Sequence, residues 1–96
     1  MTQYILLIQG NEKTKPTTQE WDQFFTAARQ SGLFAGGSAV GQRVVLGDTQ
    51  SAKSIDHIVG YMRFDAEDKQ KLLDLLKLHP VVIHGGSVEL CEMPKS

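Results

Sequence analysis

The stretch Tyr4-Ile5-Leu6-Leu7-Ile8 is followed, after a polar loop, by Thr17-Thr18-Gln19-Glu20-Trp21-Asp22-Gln23-Phe24-Phe25-Thr26-Ala27-Ala28. The first segment is short, apolar and β-prone. In the second, Trp21, Phe24, Phe25 and Ala28 recur at i, i+3, i+4 and i+7, which places one apolar stripe along a helix. The same succession returns once. Ile58-Val59-Gly60-Tyr61-Met62 precedes a helical stripe of Leu72, Leu75, Leu76 and His79. A further strand-like stretch follows each helix.

The element order is therefore β-α-β-β-α-β, the split βαβ or ferredoxin-like plan. It predicts an α+β fold with a four-stranded antiparallel sheet and two helices on one face. In the first strand Tyr4, Leu6 and Ile8 face one way and Ile5 and Leu7 the other. In the third, Ile58, Met62 and Phe64 oppose Val59 and Tyr61. Both faces are apolar, yet two helices cover only one. A large exposed apolar face marks an interface, so a homodimer through the uncovered sheet face is expected.

Local signals set the boundaries. The first strand spans residues 3 to 9 and Gly10-Asn11 ends it with turn chemistry. Thr17 and Glu20 have capping-box spacing, and the first helix runs to about Gln30. Gly32 suits the left-handed position beyond its end. The second strand begins at Leu33-Phe34-Ala35, is interrupted by a bulge, bend or close backbone approach at Gly36-Gly37, and resumes from Val40 to Leu46. Gly47 to Ser54 reads as a hairpin connection or mobile loop. The third strand spans Asp56 to Phe64. Asp65 is the expected N-cap of the second helix, which runs to Leu78, because Pro80 disfavours helix at His79. Residues 81 to 86 connect to a last strand, Ser87 to Glu92.

The chain has 96 residues, the size of a single domain spanning 1–96. Hydrophobic residues make up 41% and charged residues 22%, which argues against disorder. The formal net charge is -1 and the Lys and Arg residues are scattered, so nucleic acid and anionic lipid are not expected partners. The single cysteine, Cys91, excludes an intrachain disulfide and fits a reducing compartment. No apolar run reaches the length of a membrane span. Cytoplasmic localisation is expected.

Several residues invite a chemical reading. His79 follows the second helix, where a cation offsets the helix dipole; the functional alternative is a catalytic general acid or base. Arg43, in an otherwise apolar strand, can hold a carboxylate or phosphate by a bidentate contact, or sit on an exposed or interfacial edge. Asp56 and His57 open the third strand, pointing to opposite faces, so that one faces a cleft or both are solvated. His57, His79 and His84 match no metal-ligand spacing, and no metal is expected. Gly36-Gly37-Ser38-Ala39-Val40-Gly41 is not a dinucleotide fingerprint, since no helix opens after it. Gly85-Gly86-Ser87 is not a nucleophile elbow. Cys91 is expected to be buried and inert. No cofactor is indicated.

Taken in order, Gln3-Tyr4-Ile5-Leu6-Leu7-Ile8, Ser31-Gly32-Leu33, Gly60-Tyr61, His79-Pro80, Gly86 and Val88-Glu89 resemble the YCII-related proteins, of the DGPF-domain branch. The resemblance covers nearly the whole chain. It implies a ferredoxin-like subunit forming a dimeric α/β barrel, with a cleft near the sheet suited to small-molecule binding or catalysis. The Asp-Gly-Pro-Phe motif itself is absent: Asp48-Thr49-Gln50-Ser51-Ala52-Lys53 occupies its place. No histidine precedes His57, so the branch with a first-helix histidine is not matched either. Of the family's site positions only His79-Pro80 transfers. Two functions follow as expectations. One is a cytoplasmic dimer binding a small polar molecule in a cleft, with or without weak enzymatic activity, through His79, Arg43, Asp56 and His57. The other is a non-catalytic dimerisation or accessory module, with a filled interior in place of a pocket.

Overall fold

In a computed structural model describing residues 1–95, the elements run β1 (Thr2–Ile8), α1 (Thr18–Ser31), β2 (Phe34–Ala39), β3 (Gly60–Ala66), α2 (Lys69–Leu76), α3 (Pro80–Ile83) and β4 (Val88–Met93). The sheet order is β2-β3-β1-β4 and every neighbouring pair is antiparallel. Each β-α-β unit is thus split by a strand from the other half, as the ferredoxin-like plan requires.

The period of two in the strands and the helical stripes meet in one core. Tyr4, Leu6 and Ile8 of β1 and Met62, Phe64 and Ala66 of β3 are buried on the helix-covered face. Against them pack Phe24 and Ala28 of α1 and Leu72, Leu75 and Leu76 of α2. Helix α1 starts as its capping box predicts. The Glu20 N–H donates to Thr17 Oγ1 at 3.1 Å and the Thr17 N–H donates to Glu20 Oε1 at 2.9 Å. It ends at Gly32, with φ 73°.

Several boundaries differ from the sequence reading, most of them for a reason of pairing. Val40 donates the last ladder bond, to Val59 O at 3.0 Å, and residues 40–46 then leave the sheet. Val44, Val45 and Leu46 have strand propensity but no neighbouring strand to pair with, and they are exposed. The third strand starts at Gly60, not Asp56, and runs on to Ala66, because β1 offers partners as far as Thr2. That pairing draws Asp65 into the strand, opposite Gln3, and the cap of α2 passes to Asp68, whose carboxylate accepts the Gln70 N–H at 2.9 Å. Helix α2 stops at Leu76, and Pro80 opens the further turn α3. Proline suits the first position of a helix, where its missing N–H costs nothing.

Candidate functional site

A cleft of about 440 Å³ opens between α1 and the corner of the sheet where β2 meets β3. Its origin lies in three small residues. Gly37 pairs with Met62, and Ala39 with Gly60, so Gly37, Ala39 and Gly60 share the helix-covered face, and Ile8 of β1 lies opposite Gly60. Around them that face carries Tyr4, Leu6, Ile8, Met62 and Phe64; these three positions carry one carbon or none. Helix α1 spans the gap with Trp21 and Phe25, whose rings stack at 6.0 Å between centroids. The space beneath them is left open. Phe34, Val81 and Met62 complete apolar walls. Glu12, Lys15 and Pro16, in the loop between β1 and α1, form the rim, and Glu12 and Lys15 are its charged groups among the described residues.

Close backbone approach explains Gly37. A Cβ there would stand 2.3 Å from Tyr61 O, so no side chain fits. Gly36 beside it has φ 111°, at a register shift between Phe34 and Gly36. The paired glycines therefore serve as both bulge and close approach.

None of the four residues singled out in the sequence lines this cleft. His79 is fully buried, and it caps α3 rather than neutralising the end of α2: the Val81 N–H donates to its Nδ1 at 3.2 Å. Burial lowers its pKa from 6.5 to about 4, so at neutral pH it is an uncharged ring and cannot serve as a cation at the helix end. The proton must then lie on Nε2, which has no hydrogen-bond partner among the described residues. The imidazole instead stands edge-on to Phe24 at 4.8 Å and to Trp21 at 5.1 Å. His79 thus backs the cleft wall without facing the cleft.

Arg43 turns inward along its own loop. Its guanidinium donates to Ile55 O at 2.7 Å and to Ile58 O, clasping residues 40–58 into a closed excursion. Both forks of the guanidinium are committed to backbone, which removes the bidentate anion reading. Asp56 and His57 lie in a turn closed by the Ile58 N–H on Ile55 O at 2.8 Å, not in a strand. The turn brings His57 Nδ1 to 4.0 Å from Asp56 Oδ1, with both side chains largely in solvent. Such a pair contributes little. Among the described residues no group of three or more His, Cys, Asp or Glu side chains is placed to hold a metal.

Sequence reading missed His84, considered only as a metal ligand. Its Nε2 lies 2.7 Å from Glu20 Oε2 and its Nδ1 lies 2.7 Å from Thr14 Oγ1. These partners are 64 and 70 residues away along the chain, so no local pattern announces them. Glu20, already oriented by the Thr17 N–H, is held below the usual carboxylate range by that bond first and by His84 second. Trp21 and Phe25, part of the apolar stripe of α1, pack against the core but are only partly buried, because the floor beneath them is missing.

No protein-family model and no curated protein matches the sequence. Among solved structures, the chain is similar to At3g17210 from Arabidopsis thaliana, known from a crystal structure. The match has a TM-score of 0.48 at 10% identity and covers 100% of this chain and 96% of that one.

Proposed function

We propose that the protein is a homodimer that binds a small molecule with an apolar, flat body and one polar end in the cleft beneath Trp21 and Phe25. The observation that carries this reading is the floor of Gly37, Ala39 and Gly60, which leaves an aromatic-walled space open in an otherwise filled core. Concave, mostly apolar sites with a few polar groups are where small molecules bind. Glu12 and Lys15 at the rim suit the polar end. On this reading the protein works in the cytoplasm, as a YCII-related protein lacking the DGPF motif. Among the described residues no helix is long and apolar enough to cross a membrane.

The dimer would form through the face opposite the helices. Ile5 and Leu7 lie there half-buried, opposite Cys91 and Tyr61, and Val59 is 45% exposed. An accessory module needs only that face; a binding protein needs the cleft as well.

The chain has one tryptophan, and it lines the cleft, so its fluorescence reads occupancy directly. Titration with anilinonaphthalene sulfonate, a flat apolar anion, should quench Trp21 saturably. Ala39→Leu, which extends into the cleft from an exposed position that already carries a Cβ, should abolish the quenching while the protein stays folded. Quenching that survives in Ala39→Leu, or none in the parent chain, would reject the cleft and leave the accessory-module reading.

A further inference from the structure

Thr14, His84 and Glu20 form a relay outside the cleft. The Glu20 carboxylate is ionised and can only accept, so the hydrogen bond at 2.7 Å from His84 Nε2 places a proton on that nitrogen. In the neutral ring Nδ1 is then a bare acceptor. The hydroxyl of Thr14, 2.7 Å away, must donate to it. The tautomer of the histidine and the direction of the hydroxyl both follow from the carboxylate.

The parts are held by separate elements. Glu20 is fixed on the first turn of α1 by the Thr17 N–H at 2.9 Å. His84 closes α3, its N–H donating to Pro80 O at 3.0 Å. The loop carrying Thr14 is strapped to it, with the Lys13 N–H on His84 O at 2.9 Å and the Ser87 N–H on Asn11 Oδ1 at 2.7 Å. The histidine and the carboxylate are mostly shielded, at 18% and 32% side-chain exposure, whereas Thr14 is exposed. A hydroxyl open to solvent, bonded to a base that a carboxylate orients, is the arrangement of an activated nucleophile.

We propose that Thr14 is a nucleophile for acyl transfer from activated esters, with His84 as its base and Glu20 as a positioning residue. Thr14 Oγ1 forms a bond to the ester carbonyl carbon as its proton passes to His84 Nδ1. The tetrahedral adduct collapses, the bond to the leaving oxygen breaks, and that oxygen departs with the proton from His84. The product is acyl-threonine, which water cleaves by the same route to release the acid and restore Thr14. Glu20 balances the charge on the imidazolium formed in between. The site is separate from the cleft, so either proposal can stand without the other.

The test is incubation of the full chain with p-nitrophenyl acetate, following nitrophenolate release and mapping the acetyl group by peptide mass. Acetylation of Thr14 is expected. Thr14→Ser should retain it and Thr14→Val should lose it at unchanged melting temperature. His84→Gln should slow it by about 10²–10⁴-fold, the range of general base catalysis. Glu20→Gln keeps the capping-box acceptor, so it should slow acetylation with little change in melting temperature. Acetyl groups confined to lysines or the amino terminus, or Thr14 acetylation at the parent rate in both His84→Gln and Glu20→Gln, would overturn the proposal.

Discussion

The imidazole of His79 stands edge-on to the indole of Trp21, with ring centroids 5.1 Å apart and planes at 85°. One ring is fully buried and capped onto α3; the other faces the cleft. The cleft wall therefore rests on a histidine that must stay uncharged. As the pH falls below 6.5, the unfolded chain takes up a proton at His79 that the folded chain refuses until about pH 4. Stability present in full above pH 6.5 is thus lost between 6.5 and 4, by up to about 3 kcal/mol. Chemical denaturation at a series of pH values should show this slope. His79→Asn, which retains a capping acceptor, should flatten it. A parent profile already flat between pH 6.5 and 5 would contradict the assignment.

Thr17→Ala should destabilise the fold by about 1 kcal/mol, since it removes the acceptor of the Glu20 N–H at 3.1 Å. Thr17→Ser should cost much less. The denaturation midpoint of each variant is the readout, with unchanged slope showing that only stability moved.

Adjacent glycines should respond differently to alanine. At Gly37 the added Cβ meets backbone, Tyr61 O at 2.3 Å, and only a shift of β2 relieves it. Gly37→Ala should cost about 3 kcal/mol, in the upper range for single substitutions. At Gly36 the Cβ meets nothing within 4 Å, and the cost is the strain of φ 111° alone, about 1 kcal/mol. Equal melting temperatures for the two variants would mean that β2 is not held as closely to β3 as its register indicates.

If the sheets pair as proposed, the parent chain should sediment as a dimer at micromolar concentration and Leu7→Lys as a folded monomer. Leu7 lies on the face away from the helices, between Tyr61 and Glu89. A parent chain that sediments as a monomer would refute the paired-sheet arrangement.

Much of the fold is legible because its causes are local. Thr17 and Glu20 are three residues apart, and their two hydrogen bonds form wherever that helix starts. Leu6 and Ile8 share a face because strand side chains alternate. Gly36-Gly37 reads as a bulge, a bend or a close approach; the register shift gives the bulge and the crowding at Gly37 the close approach. Legibility failed where a residue's role depends on what lies beside it in space. Val44-Val45-Leu46 reads as strand, yet propensity without a ladder partner leaves it outside the sheet. Asp65 reads as a cap, yet pairing with β1 takes it into β3 and Asp68 caps in its place.

The same division separates the architecture from the candidate sites. The order of apolar runs and helical stripes determined the β-α-β-β-α-β plan, the start of α1 and which strand residues share a face, because periodicity and capping act over a few residues. Tertiary structure alone decided that Gly37, Ala39 and Gly60 share one floor, that His79 is a neutral cap behind Trp21, and that Thr14, Glu20 and His84 touch. Each of these depends on strand register or on helices packing against distant loops. Burial and hydrogen-bond geometry, set by neighbours up to 70 residues away, then decide the protonation and the reach of every side chain involved.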